Sequence, residues 1–511
     1  MPNSPIMAVL RRALREAASN DQYDPSRRNF LKAAGTLAVA PSIIGACTRP
    51  KDHPPHHRAR VAVIGAGIAG LHTAWLLKRH GIIADVYEAS ARPGGRIFSA
   101  RDLLVQGAVT ELGGEYIDSV HSDMLTLVKA FGLDLIDLHN EPYASRNETF
   151  FFDGRSYTPA DIVREIRPLL ERLRRDISLL PQNYRHLAES PARGFDAISI
   201  EAYFTSLGIT GWLRSFLDVA FITENGLELG EQSALNFLSL ISTDIGDGAF
   251  HQFGDSDERY KVRGGNQQIT DRLAADIHTQ IHSSHILERI GRKGSTYSLT
   301  FRKDLSSVDV DADIVVLALP FTLLRTVKID VDLPAVKRRA INELRYGQNG
   351  KVVVGYERPF WHDVNADGVI YTDLPLQLVW DNTAMQGVNA AGLTFFSGGS
   401  MCRVIGEMSK ERAGRELHDH LCKVWPEARR MQPGRVERFH WPTYPWSLAS
   451  YSGYGPGQWT DFYGREAEPA NNLYFAGEHC SPEFRGYMNG AAQTGRLAAT
   501  GIRAAMARAT F

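Results

Sequence analysis

The chain has 511 residues, 43% of them hydrophobic and 23% charged, and a formal net charge of -1. That length and apolar content describe a globular chain of two or more domains with ample core. Balanced charge, with no basic stripe interleaved with aromatics, excludes a nucleic-acid partner.

Residues 1–59 read as a signal and linker rather than as fold. Ser26, Arg27, Arg28, Asn29, Phe30, Leu31 and Lys32 spell a twin-arginine export signal, and the uncharged segment 33–47 behind it is too short to span a bilayer. Ile44, Gly45, Ala46 and Cys47 look like a lipobox, so that Cys47 either becomes a lipid anchor or is removed by ordinary signal-peptidase cleavage. The expected location is periplasmic, free or as a membrane-anchored lipoprotein. His53, His56 and His57 sit in a proline-bearing tether. The four cysteines, Cys47, Cys402, Cys422 and Cys480, include no CxxC pair, so no zinc site or disulfide framework is expected.

The sequence VAVIGAGIAG at 61–70 begins as an apolar run suited to a buried parallel strand and turns into a helix predicted over 68–79. Gly65 permits the tight turn, Gly67 lets a pyrophosphate approach the backbone, and Gly70 allows close packing of helix on strand. A second strand at 83–87 leads to Glu88, eighteen residues past Gly70, where a ribose hydroxyl needs an acceptor. A carboxylate there repels a ribose phosphate, which argues against the phosphorylated nicotinamide dinucleotide. ARPGGRIFSA follows, then ELGGEYID at 111–118. Residues 121–257 carry helical patterns at 160–180, 212–220 and 234–241. Residues 258–330 hold RYKVRGGNQQI and the apolar ADIVVLALP. Residues 331–465 alternate β-branched and aromatic runs at 352–356, 368–371 and 393–396, predicting a sheet. The last segment, 466–511, contains LYFAGEHC and GYMNGA.

These motifs in this order resemble the flavin amine oxidases, a family that includes monoamine and polyamine oxidases and L-amino acid oxidases. Lys351-Val352 ahead of Arg358-Pro359-Phe360-Trp361, and Trp441-Pro442 leading to Tyr451, extend the resemblance from about residue 60 to the C-terminus. It implies an α/β fold: a Rossmann-like FAD-binding domain built from three segments, 60–120, 258–330 and 466–511, with an inserted α+β substrate domain, helical at 121–257 and sheet-containing at 331–465.

The resemblance also implies site residues. Cofactor contacts are expected at Gly65, Gly67, Ala69, Gly70, Glu88 and Ala89, at Arg96, Gly113, Gly114, Glu115 and Tyr116, at Gly477 and Glu478, and at Tyr487, Met488 and Ala491, where the last helix begins. The N-terminus of that helix, aimed at the pyrimidine end of the ring, favours negative charge on reduced flavin. Ile281 is either a backbone contact for adenine or a core residue. Lys351 is expected to hold a water against flavin N5, since a lysine entering the apolar run 352–354 is costly to bury unused. Tyr451 and Tyr487 are expected to stand as aromatic walls orienting an amine, with Tyr116 lining the same chamber.

Two departures from the family pattern bear on chemistry. Ser450 stands where monoamine oxidases carry the cysteine that binds flavin covalently, so FAD is expected to be noncovalent. Glu115, Tyr116, Ile117 and Asp118 occupy the segment in which L-amino acid oxidases place a carboxylate-binding arginine, which favours amines. Arg485, just before Gly486-Tyr487, is the alternative source of such a contact. The expected reaction is hydride transfer from the α-carbon of a primary or secondary amine to FAD, with O2 or a membrane electron acceptor closing the cycle. L-Amino acid oxidation and a flavin-binding role without turnover are the alternatives.

Overall fold

The structure, a computed structural model, describes residues 59–140, 145–241 and 257–508. The twin-arginine segment, Cys47 and the histidine-bearing tether lie outside the described residues. Among the described residues, no helix is long and apolar enough to cross a membrane.

Val61–Ile64, buried at every position, forms the centre of a five-stranded parallel sheet. Ile314–Leu317 and Leu473–Phe475 extend the sheet on one side, and Ala84–Tyr87 and Ile281–His282 on the other, all parallel. Strands this apolar need cover on both faces; helices pack on the Val61 and Val63 side, and the antiparallel strands Ile286–Lys293, Thr296–Lys303 and Ser306–Ala312 on the Ala62 and Ile64 side. The helix Ile68–Arg79 follows the first strand, and the closing helix Met488–Arg508 crosses it closely. At the crossing the His72 ring nitrogen Nδ1 lies 2.8 Å from the Ala492 carbonyl, and Thr73 Oγ1 donates to the Gly495 carbonyl at 3.0 Å. Gly495 is required there: a Cβ would stand 2.4 Å from the Ala69 carbonyl oxygen. The fold is the expected α/β arrangement around a doubly flanked parallel sheet.

A seven-stranded mixed sheet faces this unit. Its spatial order runs Val436–His440, Asn349–Tyr356, Ala391–Gly398, Leu378–Asp381, Ala366–Thr372, Asn147–Phe152 and Arg155–Tyr157. The runs predicted at 352–356, 368–371 and 393–396 all fall within these strands. The hairpin Asn147–Phe152 with Arg155–Tyr157 comes from the segment read as helical, and it joins through parallel pairing with Ala366–Thr372. Asp153 and Gly154, at φ of 50° and 71°, make its two-residue turn. Asp-Gly between aromatic-rich flanks is a hairpin signal, here masked by the helical runs that follow.

The segment also supplies helices Pro159–Ile166, Gly211–Asn225 and Ala234–Leu240. Gly211–Asn225 packs on the strands Ala391–Gly398 and Ala366–Thr372. It ends at Gly226 in the left-handed conformation, φ 66°, where a Cβ would meet Asn349 Oδ1 at 2.1 Å. The C-terminal carbonyls of a helix need outside donors, and here two arrive from the facing sheet and loop. The Thr223 carbonyl accepts from Asn349 Nδ2 at 3.0 Å and from the Tyr451 hydroxyl at 3.1 Å.

Candidate active site

A cavity with about 1300 Å³ of empty space, part of it open to solvent, lies along the carboxyl ends of the parallel strands, the position where open α/β sheets take ligands. Its walls begin at Gly65, Gly67 and Ala69 after the first strand, Glu88 and Ala89 after the second, Ala318 to Pro320 after Ile314–Leu317, and Gly477 and Glu478 after Leu473–Phe475. The helix Ile68–Arg79 begins at Gly67 without a side-chain cap, which leaves first-turn amides and the positive end of the helix dipole free for an anion. Gly70 does not line the cavity. A Cβ there would lie 2.0 Å from the Gly65 carbonyl oxygen, so its role is the tight helix-on-strand packing. The Glu88 carboxylate accepts from the Ala66 amide at 2.7 Å and from the Ser90 amide and hydroxyl, each at 2.8 Å, and so ties the glycine loop to the second strand.

Deeper in, the cavity is shaped by close backbone contacts. A Cβ on Gly113 would sit 2.0 Å from the Arg96 carbonyl oxygen, and one on Gly114 2.7 Å from the Met488 side chain. The double glycine therefore lets this loop slide between Arg96 and the start of the closing helix. Asn266 Nδ2 holds the same loop by donating to the carbonyls of Glu115 at 2.7 Å and Gly114 at 3.1 Å. Arg96 bonds the Ser450 carbonyl and pairs with Glu478 Oε1 at 3.0 Å. Glu478 also accepts from Ser452 N and Oγ and from Gly486 N. Burial raises its carboxyl, but Arg96, His479 and Ser452 outweigh that and bring it down to about 2. Neighbouring His479, fully buried and with no hydrogen-bond partner among the described residues on either ring nitrogen, is pushed down to about 3 by burial and is neutral.

At the far end the cavity is lined by Tyr116, Asn349, Lys351, Phe396, Trp441, Tyr444, Trp446, Ser450, Tyr451 and Tyr487. Lys351 stands on the Asn349–Tyr356 strand, 1% exposed. Its Nζ donates to the Glu111 carbonyl at 2.8 Å, the Gly113 carbonyl at 3.0 Å and Glu115 Oε2 at 2.8 Å. Burial lowers the Lys351 ammonium from the ordinary lysine value against the pull of Glu115. The other oxygen of Glu115 accepts from Lys261 Nζ at 2.7 Å and Trp380 Nε1 at 2.9 Å. Burial raises the Glu115 carboxyl, and the two lysines together bring it below its ordinary value. Tyr487 packs edge-on against His121, ring centroids 4.8 Å apart.

These are the parts of a flavin amine oxidase, and the comparison with known sequences agrees. The profile for flavin containing amine oxidoreductases matches residues 68–503. The chain belongs to that family, and it is a flavin-dependent amine oxidoreductase. Among its relatives, the flavin-containing amine oxidase of Oncorhynchus mykiss is 26% identical over 458 residues, covering 88% of this chain and 86% of the relative. The flavin-containing amine oxidase B of Homo sapiens is 25% identical over 467 residues, covering 88% and 87%. In fold the chain is similar to cyclohexylamine oxidase from Brevibacterium oxydans IH-35A, with a TM-score of 0.76 at 23% identity over 88% of this chain and 100% of that one. It is also similar to a putrescine oxidase bound to putrescine, with a TM-score of 0.72 at 20% identity over 87% and 99%.

Of the residues expected from sequence, Gly65, Gly67, Ala69, Glu88, Ala89, Arg96, Gly113, Gly114, Glu115, Tyr116, Lys351, Tyr451, Gly477, Glu478, Tyr487, Met488 and Ala491 all line the one cavity. Gly70, expected as a contact, stands outside that wall, Ile281 takes the second of its two expected readings, and Arg485 and Lys351 have protein partners of their own. Ile281 sits on the edge strand of the parallel sheet beside Val86, outside the cavity wall and packed against core. Arg485 is neither a cavity residue nor on the surface. It is 6% exposed, with its guanidinium on Glu466 at 2.8 Å, Ser452 Oγ at 3.2 Å and the Tyr454 hydroxyl, because the buried Glu466 carboxylate needs a cation more than the cavity does. Lys351 has three protein acceptors around its Nζ. The sequence reading missed Asn349, Phe396, Tyr444 and Trp446 in the wall, and Lys261 and Trp380 behind it. The proline-spaced aromatics at 441–451 are a signal for part of the wall. Lys261 has none, since only folding brings it to Glu115.

Proposed function

We propose that the protein is an FAD-dependent amine oxidase that oxidises primary or secondary amines. The observation carrying this is a cavity continuous from the glycine loop and Glu88 to Lys351 and the tyrosines Tyr451 and Tyr487. The dinucleotide half is a cradle of residues that no side chain can enlarge: Gly67 and Gly95 approach so closely that a Cβ on Gly95 would stand 3.1 Å from Gly67 Cα. The uncapped helix start faces the place a pyrophosphate needs, and that set of groups fits FAD. Bound there, FAD would supply a two-electron acceptor for the hydride of the amine α-carbon, and water would hydrolyse the resulting iminium to a carbonyl compound and ammonia from a primary amine, or a smaller amine from a secondary one.

The chain's own residues do the rest. Tyr451 is held by its hydroxyl on the Thr223 carbonyl and Tyr487 by the His121 ring, so both can present ordered π-faces to an amine nitrogen. Phe396, Trp441 and Trp446 add an apolar wall that excludes water from the reacting carbon. Ser450, whose Oγ donates to Asn349 Oδ1 at 2.6 Å, offers no thiolate, which supports a noncovalent cofactor. Commitment of Arg485 to Glu466 removes the candidate partner for a substrate carboxylate and so favours amines over amino acids. Reoxidation by O2 to hydrogen peroxide, and export by the twin-arginine route with Cys47 lipidated or removed, complete the proposal.

Anaerobic mixing of purified protein with a panel of amines and L-amino acids tests it. Bleaching of the flavin band by amines alone supports the reading, while bleaching by amino acids alone refutes the substrate class. FAD released into the supernatant after acid precipitation supports noncovalent binding; flavin retained in the pellet refutes it.

A further inference from the structure

Glu115 accepts from two ammonium groups at once, Lys351 Nζ at 2.8 Å and Lys261 Nζ at 2.7 Å, and all three side chains are almost wholly inaccessible. All three hydrogen-bond partners of Lys351 Nζ among the described residues are acceptors: two carbonyls and a carboxylate oxygen. A neutral amine would turn its lone pair on one of them, so this geometry demands the ammonium form. Lys261 stands behind the wall, on the Tyr260–Val262 strand, with its Nζ 5.1 Å from the centre of the Tyr116 ring. Two buried cations on one anion leave a positive charge with no second direct ion pair: the further carboxyls within reach of Lys261, Glu111 and Asp381, are pushed up to about 7 and about 6 by burial, and Lys351 receives partial compensation from the two carbonyl dipoles. An ion pair built only for stability has no need of the second cation, because unpaired buried charge is costly. A neighbouring group that gains negative charge during turnover does need it.

We propose that Lys261 is a positioning residue of the flavin site: it fixes Glu115 on Lys351 and leaves the triad with one net positive charge beside the bound ring. The proposal rests on the reading that the ring lies against Lys351. Removing that charge makes two-electron reduction of the flavin harder, and restoring the charge count restores it, whichever residue supplies the charge.

The test is the reduction potential of purified holoprotein, titrated with dithionite against a reference dye at pH 6. At that pH the adjacent Glu111, pushed up to about 7 by burial, is mainly protonated, and Asp381, pushed up to about 6, is about half protonated, so an Asp381→Asn background is measured beside each variant to keep the charge count fixed. Because no substrate is used, the measurement is independent of whether amines reduce the flavin, which the anaerobic panel decides separately. Lys261→Met leaves a net charge of zero and is expected to lower the reduction equilibrium constant about tenfold, or about 30 mV for a two-electron couple. Lys261→Arg keeps the charge and is expected to keep the potential. The double variant Lys261→Met/Glu115→Gln returns the net charge to that of the native triad and is expected to return the potential toward it, an outcome that mere structural damage does not produce. An unchanged potential in Lys261→Met, or a double variant as low as the single, overturns the proposal. If Lys261→Met does not retain FAD, Lys261→Gln takes its place with the same expected shift; loss of FAD from both overturns the proposal in favour of a structural role.

Discussion

Replacement of Arg485 by methionine separates a structural arginine from a substrate-binding one. The side chains of Arg485 and Glu466 are 7% and 1% exposed, and they meet at 2.8 Å. Removing one partner of a buried pair strands the other charge, at a cost of about 3–5 kcal/mol. Here the Tyr454 hydroxyl still donates to Glu466 Oε1 at 2.6 Å, which places the expected loss at the lower end, about 3 kcal/mol. For a chain of 511 residues the unfolding entropy is roughly 1 kcal/mol per degree, so Tm falls by about 3 °C. Thermal and urea unfolding of FAD-loaded Arg485→Met, with kcat/KM on amines and amino acids measured beside them, is the assay. The expected result is reduced stability with any loss of turnover shared by both substrate classes. Unchanged stability together with a selective loss on amino acids refutes the argument and returns Arg485 to the substrate.

Gly113→Ala drives a Cβ onto the Arg96 backbone oxygen and is expected to abolish FAD loading, whereas Gly114→Ala meets only the flexible Met488 side chain and retains FAD with weaker affinity; absorbance of the purified variants reports both. Buried groups push stability both ways with acid. His121 and His479, both pushed down to about 3 by burial, lose their contribution as pH falls from about 6.5 toward 3, whereas Glu111 and Asp367, pushed up to about 7, and Asp381, pushed up to about 6, take up protons in the folded chain first and add stability as pH falls from about 7 toward 4. Glu478, held down at about 2, adds its loss between about 4.5 and 2, so urea midpoints are expected to hold from pH 7 to about 4.5 and to fall below that; a midpoint that already drops steeply at pH 6 contradicts this. With alkylamines, kcat/KM is expected to rise with pH from 6 toward 10, because only the neutral amine has a lone pair to offer; a flat profile contradicts this. Tyr451→Phe loses only the bond to the Thr223 carbonyl and is expected to cost about 1 kcal/mol of stability with turnover retained, whereas Tyr451→Leu is expected to raise KM for amines by about tenfold.

Much of the cofactor site is legible from the chain alone because it is made of backbone. Where one stretch of backbone must pass within van der Waals distance of another, as at Gly70 and Gly113, only glycine serves, and the requirement is written into the residue itself. The same holds for the apolar run Val61–Ile64, whose composition already demands cover on both faces. Side-chain partners are different. Arg485 precedes a cavity residue by two positions, yet its guanidinium turns toward Glu466. Lys351 was recognisable, but neither of the residues that set its charge environment, Glu115 as its counter-ion and Lys261 as the competitor for that counter-ion, follows from spacing.

Local sequence thus determined the strands, the glycine loops, the helix starts and, through them, the place where a dinucleotide lies. Tertiary structure alone decided which buried charges meet, because pairing in a low-dielectric interior depends on distances set by how segments pack, whether 19 residues apart as for Arg485 and Glu466 or 236 as for Lys351 and Glu115.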